Sequence, residues 1–214
     1  MKSWTKAQDF NKRWRGFIRC SVMSASLLAG FWPVAGLAQD GHPHGDAQEQ
    51  LSAEQLAKRS ELIQRVRKAT DKFQDVNVAI ALGYQLAFGC VSGPDQGAMG
   101  LHFVNGKILG KNVVDVDNPP IVIYEPTLNG QLKLIGADYL VDQATWDANK
   151  DKSHPDGPPQ LMGQLFHLFE APNRFALPAF YTLHVWAWKA NPNGAFVNWH
   201  PNVSCQLFNP PTVE

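Results

Sequence analysis

The chain lacks the short signatures that would assign its chemistry directly. Only three of its 214 residues are cysteine, and no two form a Cys-x-x-Cys pair. There is no His-Glu-x-x-His, and past residue 50 no His-x-His, so a compact local metal motif is excluded. No Gly-x-Ser-x-Gly elbow, phosphate-cradling glycine loop or repeat of fixed period occurs. Asp147, Asn149 and Asp151 match the first ligand positions of a calcium loop. Lys152 then replaces the required glycine and Pro158 the bidentate glutamate, which leaves a solvated loop. Neither sign of charge is in excess, with 19 basic and 19 acidic residues.

That balance hides an asymmetry. Lys2, Lys6, Lys12, Arg13, Arg15 and Arg19 crowd the first 19 residues with a single acid, Asp9. An apolar run follows and ends in small residues, with Gly36 and Ala38 at the −3 and −1 positions of a cleavage site. Residues 1–38 therefore read as a secretory signal peptide. The alternative, a membrane anchor, is disfavoured by the serines, glycines and Pro33 inside a run short of the ~20 apolar residues a span needs. The leader carries six of the 19 basic residues and one of the 19 acids, so the remainder has a net charge of −5. This argues against a nucleic-acid partner, which calls for a basic patch. No membrane span is expected in the mature chain. A periplasmic or secreted location follows.

Cys20 leaves with the leader, and Cys90 and Cys205 remain, an even number in an oxidising compartment. A disulfide between them is expected. Residues 39–50 are polar and read as a disordered linker in which His42 and His44 lie. Residues 51–214 read as one α+β domain, with N-terminal helices packed on an antiparallel sheet. Ser52 and Gln55 make a capping-box pattern, and Leu56, Ile63 and Val66 recur at helical spacing, predicting a helix over 52–72. "DVNVAIALGYQL" predicts a second helix capped by Asp75. "GAMGLHFVNG", "PPIVIYEP", "QLKLIGADYLV" and "AFYTLHVWAWK" read as strands, with Asn129-Gly130 turning the second into the third.

Several of these blocks together resemble an uncharacterised family of exported bacterial proteins. The shared pattern is Gly-x-His-Tyr/Phe-Val-Asn, then Tyr-Glu-Pro, Leu-His-Val-Trp and a terminal Cys, here "GLHFVN", "YEP", "LHVW" and Cys205. The resemblance spans most of residues 70–206. It implies His102, Tyr124, Glu125, His184, Trp186, Cys90 and Cys205 as matching positions. His200 departs from the pattern, which has asparagine there. The resemblance carries no activity with it.

The chemistry must then come from the residues. His102 and His184 sit mid-strand, and Glu125 ends an apolar strand. Such groups are costly to bury without partners. If their strands share a sheet face, one divalent metal (Zn, Cu or Fe) satisfies all three. In a strand over 183–189, His184, Trp186 and Trp188 share a face. With Tyr124 these indoles could line an aromatic ligand pocket, or simply fill core. The first expectation is an exported small-ligand or metal-binding protein with a site of His102, Glu125 and His184 beside Tyr124, Trp186 and Trp188. The alternatives are a metal-dependent envelope hydrolase or oxidoreductase, and an envelope interaction protein whose histidines are structural.

Overall fold

A computed structural model describes residues 51–149 and 157–208. The predicted leader and linker, His154, and Asp151 and Lys152 of the polar loop lie outside them.

Helix α1 (Ala53–Thr70) begins as its sequence requires. Ser52 Oγ accepts the Gln55 amide at 3.1 Å, and the Gln55 side chain accepts the Ser52 amide at 2.7 Å. Its buried stripe is Leu62, Val66 and Thr70, with Ile63 beside it, whereas Leu56 is exposed. A 3-10 turn (Asp71–Gln74) leads into α2 (Val76–Ala81), capped by Asp75. That helix is shorter than expected. Gly83, at φ 93°, takes the left-handed conformation that closes a helix, and the Tyr84 amide bonds back to the Ala79 carbonyl at 3.0 Å. The residues after it form a strand that sequence patterning did not reveal, β1 (Gln85–Ser92).

The remaining elements in chain order are β2 (Ala98–Val104), α3 (Gly106–Leu109), β3 (Ile121–Pro126), β4 (Leu132–Asp142), α4 (Gln143–Ala148), β5 (Gln160–Leu161), β6 (Gln164–Leu165), β7 (His167–Phe169) and β8 (Phe180–Val185). Six strands make one antiparallel sheet in the order β1-β2-β3-β4-β8-β7, and β5 and β6 pair separately. The architecture is α+β with an antiparallel sheet, as expected, and the sheet is curled. The turn at Asn129-Gly130 is also present, with the Thr127 amide bonded to the Gln131 carbonyl at 2.9 Å.

The helices cover one face only. Leu62 and Val66 pack on Tyr139, Val141, Leu183 and Val185. Phe73, Ala79 and Tyr84 pack on Leu101, Phe103, Val122 and Tyr124. Burying each such aliphatic side chain contributes roughly 1.5–3 kcal/mol. Three tyrosine hydroxyls fasten this layer by donating to backbone carbonyls: Tyr84 to Pro119, Tyr124 to Phe73 and Tyr139 to Val116, at 2.7, 2.7 and 2.8 Å. The opposite face of the sheet carries Ile123, Ile135, Asp138, His184 and Trp186. Part of it is closed by the C-terminal segment, where Val203 joins Trp186, Ile123 and Ile135 in a third cluster.

Cys90 and Cys205 are disulfide-bonded, with Cα atoms 5.7 Å apart, at a sequence separation of 115. The link holds the C-terminal segment to β1. A loop of this length constrains the unfolded chain by about 4–5 kcal/mol in the chain-entropy model. The Cys90→Ser/Cys205→Ser double variant should therefore lose about 2–4 kcal/mol in urea unfolding at pH 7. Thiol labelling of the unfolded, unreduced wild type should find neither cysteine reactive; a labelled Cys90 or Cys205 would contradict the pairing.

Candidate metal site inside the curled sheet

His102 lies on β2, Asp138 on β4 and His184 on β8. Asp138 and His184 are direct cross-strand partners, whereas β2 and β8 are separated by β3 and β4. In a flat sheet three strand spacings would hold their backbones about 14 Å apart. Instead the two Nε2 atoms are 3.2 Å apart and the rings meet edge-on at 5.5 Å. Curling of the sheet brings the two side chains together over Ile121 and Ile123. One ligand atom each from His102, Asp138 and His184 lies within 4.8 Å of the others, so the group could hold a metal ion.

All three side chains are buried. Burial pushes His184 down to about 3, against the Asn198 side chain, which raises it. Burial, then repulsion from His184, pushes His102 down to about 4. Both imidazoles are neutral at pH 7, the form that binds metals. Burial raises Asp138 to about 6, opposed by the positive charge His102 would carry and by the Thr182 hydroxyl, which donates to Oδ1 at 2.5 Å. Asp138 Oδ1 lies 3.7 Å from His184 Nδ1, too far for a hydrogen bond. With His184 neutral this is not an ion pair. Nδ1 of both histidines is buried and makes no well-formed hydrogen bond, although the Gly100 backbone acts on His102 and the Asn198 side chain on His184. The cluster is therefore incompletely satisfied by the protein's own groups, which is uncommon for buried polar atoms.

The other residues singled out from sequence are placed elsewhere. Glu125 is not at this site. Both its oxygens accept from Lys189 Nζ, at 2.8 and 2.5 Å, and Lys189 also donates to the Asn202 carbonyl at 2.7 Å. Glu125 lies two residues along β3 from Ile123, the partner of His102, and four from Ile121, the partner of Asp138, about 7 and 13 Å of strand. Tyr124 and Trp188 do not line a pocket with His184 either. Tyr124 is fully buried on the helix-covered face, opposite Leu101. The strand predicted over 183–189 stops at Val185, and the Trp188 amide bonds to the Ile135 carbonyl. This break turns the Trp188 ring to the helix face, where Nε1 donates to Thr70 Oγ1 at 2.9 Å. Only Trp186 stays with the histidines, stacked on His184 at 6.0 Å with Nε1 donating to the Val197 carbonyl.

His200 is satisfied without a metal. Its Nδ1 accepts the Asn202 amide at 3.1 Å, so Nε2 carries the proton and donates to the Ala190 carbonyl at 3.1 Å. His167 is exposed, its Nε2 3.2 Å from the Phe196 carbonyl.

Asp138 and Thr182 were missed by sequence reasoning. The signal for Asp138 was a lone carboxylate inside the apolar strand "LIGADYLV", a position where an acid is rarely buried without a partner.

Comparison with known proteins finds no matching family, no similar curated protein and no similar solved structure. The class defined by fold and site is thus an α+β protein with a buried His-Asp-His cluster able to hold a metal. A disulfide is present, and no helix among the described residues is long and apolar enough to cross a membrane; both are compatible with an extracytoplasmic protein.

The buried imidazoles make the metal-free protein acid-sensitive. Their folded values lie below the ordinary 6.5, so the unfolded chain binds more protons between about pH 6.5 and 4. Their contribution is complete above that window and is lost as pH falls through it. Asp138, raised from 3.8 to about 6, has the opposite effect, because its folded form holds the extra proton there. Two groups against one leave a net decline. Urea midpoints of metal-free protein should fall between pH 7 and pH 4.5, and His102→Gln/His184→Gln should flatten the slope. A midpoint that rises towards acid would contradict this assignment.

Proposed function

We propose that this is an exported protein that binds one divalent transition metal through His102, Asp138 and His184. The observation that carries this reading is the 3.2 Å approach of two neutral, buried imidazole nitrogens beside a buried carboxylate. Two nitrogens bound to one zinc ion at 2.0–2.1 Å in a tetrahedral arrangement lie about 3.3 Å apart. A cation would also give the Asp138 carboxylate a positive partner in place of two neutral rings. Two histidines and one carboxylate suit zinc, iron or copper, and three protein ligands leave at least one position open. When bound, the metal would supply a Lewis-acid centre; the chain's own residues orient it and keep bulk water out.

Export is supported by the signal-peptide layout of residues 1–38, by the disulfide and by the resemblance to exported bacterial proteins. The resemblance also touches the site, since His102 and His184 belong to its two histidine-bearing strands. Periplasmic or secreted placement belongs to this same proposal.

The test is elemental analysis of the mature protein, purified without chelators or a polyhistidine tag, followed by titration of the stripped protein with zinc and cobalt. About one equivalent is expected. His184→Ala and Asp138→Ala should weaken binding by more than about 100-fold, beyond the 10–100-fold typical of groups that only support a ligand. Glu125→Gln should leave the stoichiometry and affinity as they are. A folded wild type that takes up neither metal would instead make the His102–His184 contact a buried N–H···N hydrogen bond, and the metal reading would fail.

A further inference from the structure

The buried His102, Asp138 and His184 form the floor of a small well. The well has a volume of about 30 Å³, against the ~10–15 Å³ that one water needs on this measure. Its lining is largely hydrocarbon, and four phenylalanines line it, from β1, β7, β8 and the loop between β7 and β8, with Phe88, Phe169 and Phe175 towards solvent. Phe169 on β7 and Phe180 on β8 are cross-strand partners stacked at 5.1 Å. Phe175, in the loop between those strands, leans on both at 6.2 and 6.3 Å. Phe88 reaches Phe175 edge-on from the opposite side, at 5.6 Å.

Phe88 is placed there at a cost. It stands in a bulge where the β1–β2 register slips between Ala87 and Cys90, and its φ is 64°. A bulky residue in the left-handed region is strained. Phe88 is also 53% exposed, so burial does not explain its position. Bulges of this kind commonly re-aim one side chain beside a site. The loop bearing Phe175 is tied down independently. Arg174 donates to the Ser92 carbonyl at the end of β1 at 2.9 Å, and its guanidinium lies 5.7 Å from the Trp199 ring. Two separately constrained phenylalanines therefore meet over one small well.

We infer that the metal bound at His102, Asp138 and His184 accepts a ligand of no more than two or three non-hydrogen atoms, and that Phe88 and Phe175 set this limit. The inference rests on the metal reading above. A diatomic or a linear triatomic fits the well as it stands, whereas a ring or a branched chain needs the mouth opened. The site is thereby matched to small linear ligands rather than to hydrolysis of a bulky ester or amide, whose scissile bond cannot reach the floor past the two rings.

The experiment uses the full mature chain loaded with cobalt(II), read by its visible absorption. The probes are azide and benzoate, equal in charge and unequal in size. Azide should shift the cobalt bands saturably, and benzoate should bind at least tenfold more weakly. In Phe88→Ala/Phe175→Ala the benzoate-to-azide affinity ratio should rise at least tenfold. Phe88→Ala alone, at an exposed position, should move it in the same direction. Equal binding of both probes by the wild type, binding of neither, or a ratio unchanged in both variants would overturn the size limit while leaving the metal site standing. A folded wild type that takes up no cobalt would instead remove the metal reading, and the size limit with it.

Discussion

The curl of the sheet is the constraint on which the rest of the molecule depends. His102 and His184 belong to strands with two others between them, so only a strongly curved sheet lets their nitrogens approach to 3.2 Å. Two glycines permit that curvature. A Cβ on Gly136 would stand 2.5 Å from the Val185 carbonyl oxygen, and one on Gly100 would stand 2.6 Å from that of Tyr124. Gly100 also sits at φ 92°, where a side chain is strained regardless of space. The register shift in β4 opposite Ile123 and Tyr124 adds a further kink. The helices, confined to the outer face, leave the concave side to the histidines.

Satisfaction of polar groups separates the two sides of the sheet. On the helix side every buried tyrosine hydroxyl described above reaches a backbone carbonyl, and Thr70 both donates to Val66 and accepts from Trp188. On the concave side Trp186, His200 and Thr182 are likewise bonded, yet Nδ1 of His102 and of His184 is not. Asn112 and Asn198 each carry one such atom as well, but among the described residues only the His-Asp-His cluster sets two of them beside a buried carboxylate.

Much of the fold was legible in the sequence because its signals are local. Ser52 and Gln55 announce a helix start, Asn129-Gly130 a turn, and two remaining cysteines a pairing. The site was only half legible because it depends on register. His102 and His184 could be singled out as histidines inside strands, but the identity of the third group could not. Glu125 shares an inward parity with Ile121 and Ile123, so alternation alone recommends it. What excludes it is distance along β3, which no local pattern encodes, and the Lys189 ammonium that holds it. Trp188 shows a second limit. Alternation assumes that the strand continues, and after Val185 it does not, because the Trp186 amide turns to the Ala195 carbonyl. β1 was hidden for a related reason: Phe88 and Gly89 interrupt its alternation with a bulge.

The cluster has a cost that the surrounding structure must meet. Two imidazoles held neutral and a carboxylate held out of water oppose folding in the metal-free chain. The elements that close over the concave face act against that opposition. The disulfide fixes Cys205 to β1, the Ala98–His200 bridge lays the C-terminal segment against β2, and Lys189 joins Glu125 to the Asn202 carbonyl. Gly97 is needed for that bridge, since a Cβ there would lie 2.1 Å from the His200 carbonyl oxygen. On this view Glu125 does serve the site, from a distance: it anchors the segment whose Val203 packs beside Trp186, and Trp186 in turn stacks on His184. A carboxylate that sequence reasoning took for a ligand is better understood as part of the clamp that keeps the ligands buried.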